Sequence, residues 1–410
     1  MAVEKRAYDI VLWGATGFTG RLVAEYLLAR YGEDAPFRWA LGGRNRGKLE
    51  GVRSDLGVGA AKLPLCVGDS DDERFLGELA ASARVVCSTV GPYARYGSPL
   101  VAACATAGTH YCDLTGELQW IRRMIDQHSD AAAKSGARIV HSCGFDSIPS
   151  DIGAFFAQRE MSREHGVASP HIKYRVRGFK GGFSGGTAAS LLTMMEEIER
   201  DKSVRSLLAD PYALNPQEQR RGPDGRDQMG PVYDSDFDAW TAPFIMAALN
   251  TRIVRRTNAL LDYAYGADFR YDEAMLMGGG PLGLAKASGL SVGIGGAMVA
   301  GAIGPLRKLL ASRLPAPGEG PSQRQRETGF FDIELFAAHP SDRSKSLRAR
   351  VYGDRDPGYG STAKMLGESA VCLAMDDLDV AGGFWTTAAA MGAPLLQRLN
   401  QNAGVTFSRL

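Results

Sequence analysis

Three short stretches carry most of the side chains that could donate hydrogen bonds or move protons in a reaction. They read TVGPYARY at 89–96, YCDLTGE at 111–117 and HSCGFDS at 141–147. Each includes or follows a short run of strand-forming residues. In an open parallel sheet, ligands bind beyond the carboxyl ends of the strands. We therefore expect the three stretches to meet at one end of a sheet and to face a common ligand.

Donors and carboxylates in these stretches have separate predicted roles. A reaction that places negative charge on a substrate oxygen needs hydrogen-bond donors aimed at that oxygen. Tyr93, Tyr96 and His141 are the predicted catalytic residues, because tyrosine and histidine can donate a hydrogen bond or a proton. Asp113 and Glu117 are predicted to orient the substrate. Glu117 could instead stabilise the start of the helix that follows it.

Two further residues complete the predicted substrate contacts. Asp146 follows the sixth strand pattern, although it could equally cap the helix that begins near Pro149. Lys180 lies in FKGGFSGGT (179–187), a stretch with four glycines. Such a stretch suits a mobile lid or a cradle for the substrate. The alternative is a sharp loop between two elements.

Three glycines spaced three apart predict a dinucleotide site near the amino terminus. Residues 8–13 favour a strand, and GATGFTG at 14–20 leads into a helical pattern. Gly14 permits the turn, Gly17 lets the backbone approach a pyrophosphate, and Gly20 lets the helix lie against the strand. Free N–H groups at the helix start attract phosphate. The predicted cofactor contacts are Gly14, Thr16, Gly17, Phe18, Gly20, Arg44, Asn45, Asp69, Thr89, Gly91 and Pro92.

The end of the second strand pattern indicates which cofactor binds. It reads GGRN (42–45), without the acid that usually binds the ribose 2′-hydroxyl of NAD. A carboxylate would repel a 2′-phosphate, whereas an arginine can pair with it. Arg44 therefore predicts NADPH rather than NADH. Asp69 is predicted on the adenine side, although Gly68-Asp69-Ser70 also suits a turn.

The elements that must position these residues follow from the alternation of strand and helix patterns. From 1 to 150 this alternation predicts an α/β fold, a doubly wound, parallel Rossmann-type sheet that binds NADP. Residues 151–358 predict an α+β substrate domain with a mixed or antiparallel sheet. Residues 359–410 hold helix patterns at 361–375 and 384–399, which we expect to return to the first domain. Ser70 and Glu73 form a capping-box pattern.

Composition excludes several classes of function. The formal net charge of +1 argues against a nucleic-acid partner, which would need a basic surface. The six cysteines show no metal-ligand spacing, so no metal site is predicted, and they resemble the buried thiols of a cytoplasmic protein. The amino terminus lacks the apolar core of a signal peptide.

Residues 287–306 form an apolar, glycine-rich segment without charge. Twenty uncharged residues could span a bilayer, but the glycines weaken both helix propensity and hydrophobicity. We expect a helix that is buried in the protein or lies on a membrane surface. In the second case it would form an apolar wall or entrance for a long acyl substrate.

Several motifs together resemble the saccharopine dehydrogenase-like oxidoreductases, and more narrowly their trans-acting enoyl reductase branch. The motifs are GATGFTG, GGRN, TVGPYARYG, DLTGE, CGFDSIPSD, FKGGFSGGT and TTAAAMG. The resemblance runs from Asp9 to about Leu399. It implies reduction of a carbon–carbon double bond in a long-chain precursor of phthiocerol-type lipids. It supplies no catalytic residue.

Two alternatives remain open from the sequence. A saccharopine-type enzyme would need several arginines converging on an amino-dicarboxylate, and Arg95, Arg175 and Arg177 are available but not clustered. A non-catalytic protein could bind NADPH and dock at a membrane or lipid assembly. The expected partners are an acyl substrate, free or on a carrier, with a polyketide synthase or a membrane surface as further candidates. The sequence does not indicate an oligomeric state.

Overall fold

The polypeptide between residues 6 and 410 is organised around two sheets. A computed structural model describes residues 6–182, 185–311 and 319–410. Its strands are β1 (Tyr8–Trp13), β2 (Trp39–Gly43), β3 (Leu65–Val67), β4 (Ala83–Ser88), β5 (His110–Asp113), β6 (Arg138–Val140), β7 (His171–Lys180), β8 (Val232–Asp234), β9 (Ala239–Pro243), β10 (Arg270–Gly278), β11 (Phe330–Ala337), β12 (Leu347–Gly353), β13 (Gly383–Trp385) and β14 (Val405–Arg409).

Helices cover the faces and ends of these sheets. They are α1 (Phe18–Tyr31), α2 (Arg46–Asp55), α3 (Glu73–Ser82), α4 (Tyr93–Tyr96), α5 (Ser98–Ala107), α6 (Leu118–Ser135), α7 (Ile148–His165), α8 (Gly185–Arg200), α9 (Lys202–Ala209), α10 (Ala247–Leu260), α11 (Gly280–Ala302), α12 (Gly304–Ala311), α13 (Gln323–Glu327), α14 (Thr362–Met375) and α15 (Thr387–Arg398).

The first sheet is parallel and has the strand order β13-β6-β5-β4-β1-β2-β3. Ile10, Val11 and Leu12 of β1 are fully buried, as expected for a strand with helices on both faces. The chain runs outward from β1 on one side through β2 and β3, and on the other side through β4 to β6. The crevice at the carboxyl ends of β1 and β4 is therefore the switch point where such sheets bind ligands. The predicted doubly wound sheet is confirmed.

The second sheet is mixed, with the order β14-β12-β11-β7-β10-β9-β8. Strands β7 and β10 are parallel, and the other neighbours are antiparallel. The predicted mixed sheet is therefore confirmed. Arg175 of β7 is buried, where it pairs with Asp234 at 2.7 Å and Asp272 at 2.6 Å.

The carboxyl-terminal segment contributes to both sheets. Helix α14 packs against α1 and against β4 and β5. Strand β13 pairs with β6 in the first sheet, whereas β14 pairs with β12 in the second. Residues 359–410 therefore tie the two sheets together.

Two local predictions are wrong. Helix α3 is capped by Asp72, whose carboxylate accepts from the N–H of Phe75 at 3.0 Å, and not by Ser70. The predicted helix from Phe384 begins only at Thr387, because residues 383–385 pair with β6 as β13. Tertiary pairing overrides the local pattern there.

Helix α11 contains the uncharged segment and is mostly exposed. The most apolar 18-residue window within residues 280–301 has a mean hydropathy of 1.3, and only 11% of that window is buried. The helix packs against β9 and β10 and touches α8. Because the side chains of Val292 and Val299 are 75% and 62% exposed, the alternative of a buried core helix is wrong.

Candidate functional site

The glycine turn between β1 and α1 needs glycine at its first and third positions. Gly14 has a φ of +91°, and a Cβ atom there would lie 2.7 Å from Thr89 Oγ1 and from a Val90 methyl group. A Cβ atom on Gly20 would lie 2.1 Å from the carbonyl oxygen of Gly14. A side chain at Gly14 would therefore clash with the residues that follow β4, and a side chain at Gly20 would clash with the turn itself.

Gly17 lies on the open side of this turn. A Cβ atom there would meet only the Gly14 carbonyl oxygen, at 3.3 Å. Gly17 is the N-cap of α1, and as a glycine it has no side chain that could accept a hydrogen bond from the helix start. The first turn of the helix contains no acidic residue. The N–H groups and partial positive charge at the helix start are thus available to an anion. The turn fits the pyrophosphate of a dinucleotide.

The predicted cofactor contacts after β4 begin directly beside this turn. Thr89 Oγ1 donates to the carbonyl oxygens of Trp13 (3.2 Å) and Gly14 (3.1 Å), which joins β4 to the turn. Gly91 and Pro92 follow directly, and Pro92 is the N-cap of α4. On the other side, Thr16 Oγ1 lies 3.8 Å from the Cβ position of Gly43 at the end of β2.

The end of β2 suits a 2′-phosphate. Arg44 is exposed, and no acidic partner lies within salt-bridge distance of it in the described ranges. Asn45 caps α2 by accepting from the N–H of Lys48 at 2.9 Å. Asp69 is exposed and accepts from the N–H of Asp71 at 3.3 Å, which is the geometry of a turn. Arg44 is thus free to bind a phosphate, whereas Asn45 and Asp69 have structural partners.

His141 and Asp113 form a buried pair under the crevice. Nδ1 of His141 lies 2.7 Å from Asp113 Oδ2, and both side chains are at most 4% exposed. Oδ1 of Asp113 accepts from the N–H groups of Thr115 and Ser142, each at 3.1 Å. Nε2 of His141 is buried and has no hydrogen-bond partner among the residues that the structure describes, and the ring packs on Trp120 at 4.9 Å. This geometry positions the pair within the protein and does not direct it at a substrate.

Tyr93 and Glu117 also bind within the chain. The Tyr93 hydroxyl donates to the carbonyl oxygen of Ser88 at 3.1 Å and is buried. The Glu117 carboxylate accepts from the N–H groups of Tyr93 (2.9 Å) and Ala94 (2.8 Å), at the start of α4. Burial raises the pKa of Glu117, although these bonds lower it in part. Glu117 therefore stabilises the start of α4, which precedes it, and its side chain does not cap α6, the helix that follows it.

Among the predicted catalytic and substrate residues that follow β4, β5 and β6, Tyr96 and Asp146 are the two that are not fully buried. Tyr96 is 40% exposed at the end of α4. Asp146 is half-buried, and its carboxylate oxygens lie 3.5 Å from the Cβ positions of Gly116 and Gly144. Burial raises the pKa of Asp146 to about 7, with a smaller contribution from the charge of Asp113. Asp146 can therefore hold a proton near neutral pH.

Lys180 lies apart from these groups, at the end of β7. Its Nζ donates to Thr328 Oγ1 at 3.1 Å. Gly181 packs against Pro357, and Gly182 packs against Pro321. Phe183 and Ser184 of the predicted lid lie outside the described residues.

Two residues near the site have no signal in the sequence. Ser190 of α8 donates to Glu117 Oε1 at 2.8 Å. Thr362 Oγ1 accepts from the N–H of Phe145 at 3.0 Å, beside Gly144. They are 73 and 217 positions away from their partners, so only the folded chain brings them to the site. Within the described ranges, no group of three or more potential metal ligands occurs.

Residues 10–140 match the saccharopine dehydrogenase NADP binding domain. Because this domain matches and the turn fits a dinucleotide, the chain is an NADPH-binding oxidoreductase. The solved structure of apo saccharopine dehydrogenase (L-Glu forming) from Saccharomyces cerevisiae covers 98% of this chain and all of its own, with a TM-score of 0.51 and 12% identity. That likeness concerns the fold alone.

Relatives match this chain over nearly its whole length. A Mycobacterium tuberculosis H37Rv protein, provisionally named a trans-acting enoyl reductase, is 46% identical over 99% of this chain and 98% of its own. The trans-acting enoyl reductase of Mycobacterium ulcerans is 39% identical over 100% of this chain and 99% of its own. This chain therefore belongs to the trans-acting enoyl reductase family, within the saccharopine dehydrogenase-like oxidoreductases.

Proposed function

We propose that this protein uses NADPH to reduce the carbon–carbon double bond of a long-chain unsaturated acyl substrate. The similarity to relatives named trans-acting enoyl reductases, 39–46% identical from end to end, is the observation that carries the proposal. The narrower substrate that we propose is a precursor of phthiocerol-type lipids. A cytoplasmic location is part of the same proposal.

The residues at the crevice fit this reaction. When bound, NADPH supplies the hydride that reduces the β-carbon of an α,β-unsaturated acyl group. The turn at Gly14 and Gly17 and the start of α1 hold the pyrophosphate, and Arg44 binds the 2′-phosphate. The remaining step for the protein is to stabilise the enolate oxygen and to protonate the α-carbon.

Asp146 is the proton donor that the geometry favours. It lies at the carboxyl end of β6, is half-buried and has no side-chain partner in the described part of the chain. Its pKa of about 7, raised by burial, keeps a large share of the carboxyl protonated at neutral pH. We assign proton transfer to the α-carbon to this carboxyl group.

The predicted donors take different roles in this proposal. We assign the hydrogen bond to the substrate oxygen to Tyr96, and its exposure at the end of α4 supports that role. His141 and Tyr93 are positioning residues, since both are buried and the Tyr93 hydroxyl is bound to Ser88. Asp113 holds His141 and the loop after β6.

The three arginines that a saccharopine-type enzyme could use are already paired with acidic side chains, which argues against that alternative. Arg95 pairs with Glu196 at 3.1 Å, and Arg177 forms a salt bridge with Glu334 at 2.5 Å. Arg175 is buried and pairs with two aspartates. A dicarboxylate substrate would need free guanidinium groups that converge, and these three already have acidic partners.

Helix α11 supports a lipid substrate. Besides Val292 and Val299, its exposed side chains include Leu282 (68%) and Met298 (48%). Met195 of α8 packs on Gly301, and α8 reaches Glu117 through Ser190. We propose that α11 is the surface by which a long acyl chain, or the membrane or polyketide synthase that presents it, approaches the crevice.

Turnover with matched substrates tests the proposal. The oxidation of NADPH is followed with a long-chain trans-2-enoyl thioester and with a four-carbon enoyl thioester, and the reduction of NADP+ is followed with saccharopine. We expect oxidation with the long enoyl chain at a kcat/KM well above that with the short one. Binding of NADPH without turnover of any of these substrates would favour the non-catalytic alternative, and turnover of saccharopine alone would favour the saccharopine type.

A further inference from the structure

A segment from the second half of the chain covers the side of the cofactor turn. Residues 319–329, here called the strap, directly precede β11 and include α13. Phe18, the first residue of α1, lies against the strap. A Cβ atom on Gly320 would lie 2.4 Å from the Phe18 ring, and the ring of Tyr359 packs edge-on at 5.2 Å. The turn that binds the cofactor is therefore in direct contact with residues outside the first sheet.

The strap brings one guanidinium group to this contact. The Cζ atom of Arg326 lies 5.5 Å from the centroid of the Phe18 ring. The backbone of Arg326 is fixed because its carbonyl oxygen accepts from the N–H of Asp356 at 3.0 Å. A Cβ atom on Gly329 would lie 2.4 Å from Asp356, so the strap and this loop are closely packed.

The positive charge of Arg326 is only partly satisfied. The group is half-buried, and one N–H donates to the carbonyl oxygen of Pro321 at 2.8 Å. In the ranges that the structure describes, no carboxylate lies within salt-bridge distance of it. The nearby carboxylate of Asp356 accepts instead from the N–H groups of Tyr359 and Gly360. Arg326 thus has donors left for an anion.

Two positive groups therefore meet beside Phe18. One is the start of α1, which has no acid in its first turn, and the other is Arg326. Arginine binds phosphate oxygens through paired N–H groups. The anion that this family of folds places at the start of the first helix is the pyrophosphate of the cofactor.

We propose that Arg326 is a ligand of the cofactor pyrophosphate, contributed by the strap rather than by the Rossmann-type domain. It stacks on Phe18 and binds the diphosphate from the side opposite the glycine turn. The proposal concerns cofactor binding alone and stands whether or not an enoyl substrate is reduced.

The chemistry separates Arg326 from Arg44. A ligand of the pyrophosphate contributes to the binding of NADPH and NADH alike. A ligand of the 2′-phosphate contributes to the binding of NADPH and of adenosine 2′-monophosphate, but not to that of NADH. Replacing Arg326 should therefore weaken the binding of both dinucleotides, whereas replacing Arg44 should leave the affinity for NADH unchanged.

The test compares Arg326→Gln with Arg44→Gln and with the control Arg324→Gln, an exposed arginine on the same short helix. Dissociation constants are measured on the full chain for NADPH, NADH and adenosine 2′-monophosphate, which lacks the 5′-phosphate of the pyrophosphate. We expect Arg326→Gln to weaken NADPH and NADH by the same factor, about tenfold or more, and to leave the monophosphate unchanged. Arg44→Gln should weaken NADPH and the monophosphate only, and Arg324→Gln should change none.

An NADPH affinity of Arg326→Gln equal to that of the unmodified protein would overturn the proposal. So would a loss confined to NADPH, which would move Arg326 to the 2′-phosphate. If Arg326→Gln unfolds at a lower temperature without cofactor, Arg326→Lys serves as the second variant, because lysine keeps the positive charge. Arg326→Lys should bind NADPH and NADH with affinities between those of the unmodified protein and Arg326→Gln. Binding no tighter than that of Arg326→Gln would contradict the assignment of Arg326 as a phosphate ligand.

Discussion

Gly17 and Gly20 have opposite surroundings although both belong to one motif. Replacing Gly17 with Val adds a branched side chain on the open side of the turn, so the fold should persist while NADPH binding is lost. Replacing Gly20 with Val forces atoms within about 2 Å of the Gly14 carbonyl, so the free energy of unfolding itself should fall by several kcal/mol (~3). Titration with NADPH and urea unfolding measure the two effects. Unchanged NADPH affinity in Gly17→Val would remove the turn as the cofactor site.

Asp146 should give the reaction a falling pH dependence. A general acid must be protonated, and the pKa of this carboxyl is raised by burial to about 7. The kcat should therefore fall as pH rises through 7. Asp146→Asn should lower kcat by about 100-fold and remove that dependence, with little change in NADPH affinity. Asp34→Asn, at an exposed carboxylate, is the control. A variant that keeps the pH profile of the unmodified protein would exclude Asp146 as the donor.

Residue types are visible in the sequence, but their accessibility is not. Tyrosine, histidine and aspartate after the strands predicted a cluster, and the structure places these residues at one edge. Only the fold shows that His141 is enclosed by Trp120, Tyr111 and Phe384, whereas Asp146 remains half-exposed. Arg326 could not be predicted, because nothing in its local sequence indicates proximity to Phe18.

At the scale of elements, one buried carboxylate joins two motifs distant in sequence. Asp151, from CGFDSIPSD, accepts from the Thr387 hydroxyl at 2.8 Å and from the N–H of Ala388 at 2.7 Å, at the start of α15. The hydroxyl of Thr257 on α10 donates to it as well. The TTAAAMG motif is thus explained by helix capping, and not by contact with a substrate.

Asp151 should also shape how stability depends on pH. Burial raises its pKa from 3.8 to about 6, against the hydrogen bonds it accepts. Because the folded state holds this proton more tightly, the resulting stabilisation is complete below about pH 4 and is lost as pH rises through 6. The free energy of unfolding of Asp151→Asn should therefore vary less between pH 4 and 7, and at pH 7 it should be lower by about 1–3 kcal/mol. Parallel profiles in urea unfolding would contradict this assignment.

Helix α11 offers a test of the lipid-facing surface. Val292→Glu with Val299→Glu places two charges on exposed positions, so the melting temperature should hardly change. Binding to lipid vesicles, or the KM for a long-chain substrate, should become worse by about tenfold, since each buried methylene contributes about 0.8 kcal/mol. Val58→Glu, at an 88% exposed valine in another region, is the control. Equal binding by the double variant and the control would exclude α11.

Local elements were predictable where the chain itself determines them. The strand, turn and helix at 8–31 need only short-range contacts, and their prediction is confirmed. Residues 383–385 form a strand because β6 offers an edge, which no local pattern reveals. Likewise, hydropathy identified 287–306 as unusual, but only the packing of α11 shows that its apolar face is left uncovered.

On the scale of the whole molecule, the two sheets act as one unit around the crevice. The first sheet supplies the turn, Arg44 and Asp146, whereas the second half supplies the strap, Thr362 and α8. Glu368 of α14 accepts from the hydroxyls of Tyr26 and Tyr31 on α1, each at 2.6 Å, which fastens the cofactor helix to the carboxyl-terminal segment. We therefore expect cofactor and substrate to bind between parts of the chain that are far apart in sequence.

The central claim is that hydride from NADPH and a proton from the protein are added across a carbon–carbon double bond. The most direct test uses a long-chain trans-2-enoyl thioester, NADPH with deuterium at both positions of the nicotinamide C4, and ordinary water. We predict a saturated thioester with one deuterium at the β-carbon and a solvent-derived proton at the α-carbon. Recovery of the unsaturated thioester while the enzyme binds NADPH, or deuterium at any other carbon, would contradict the account.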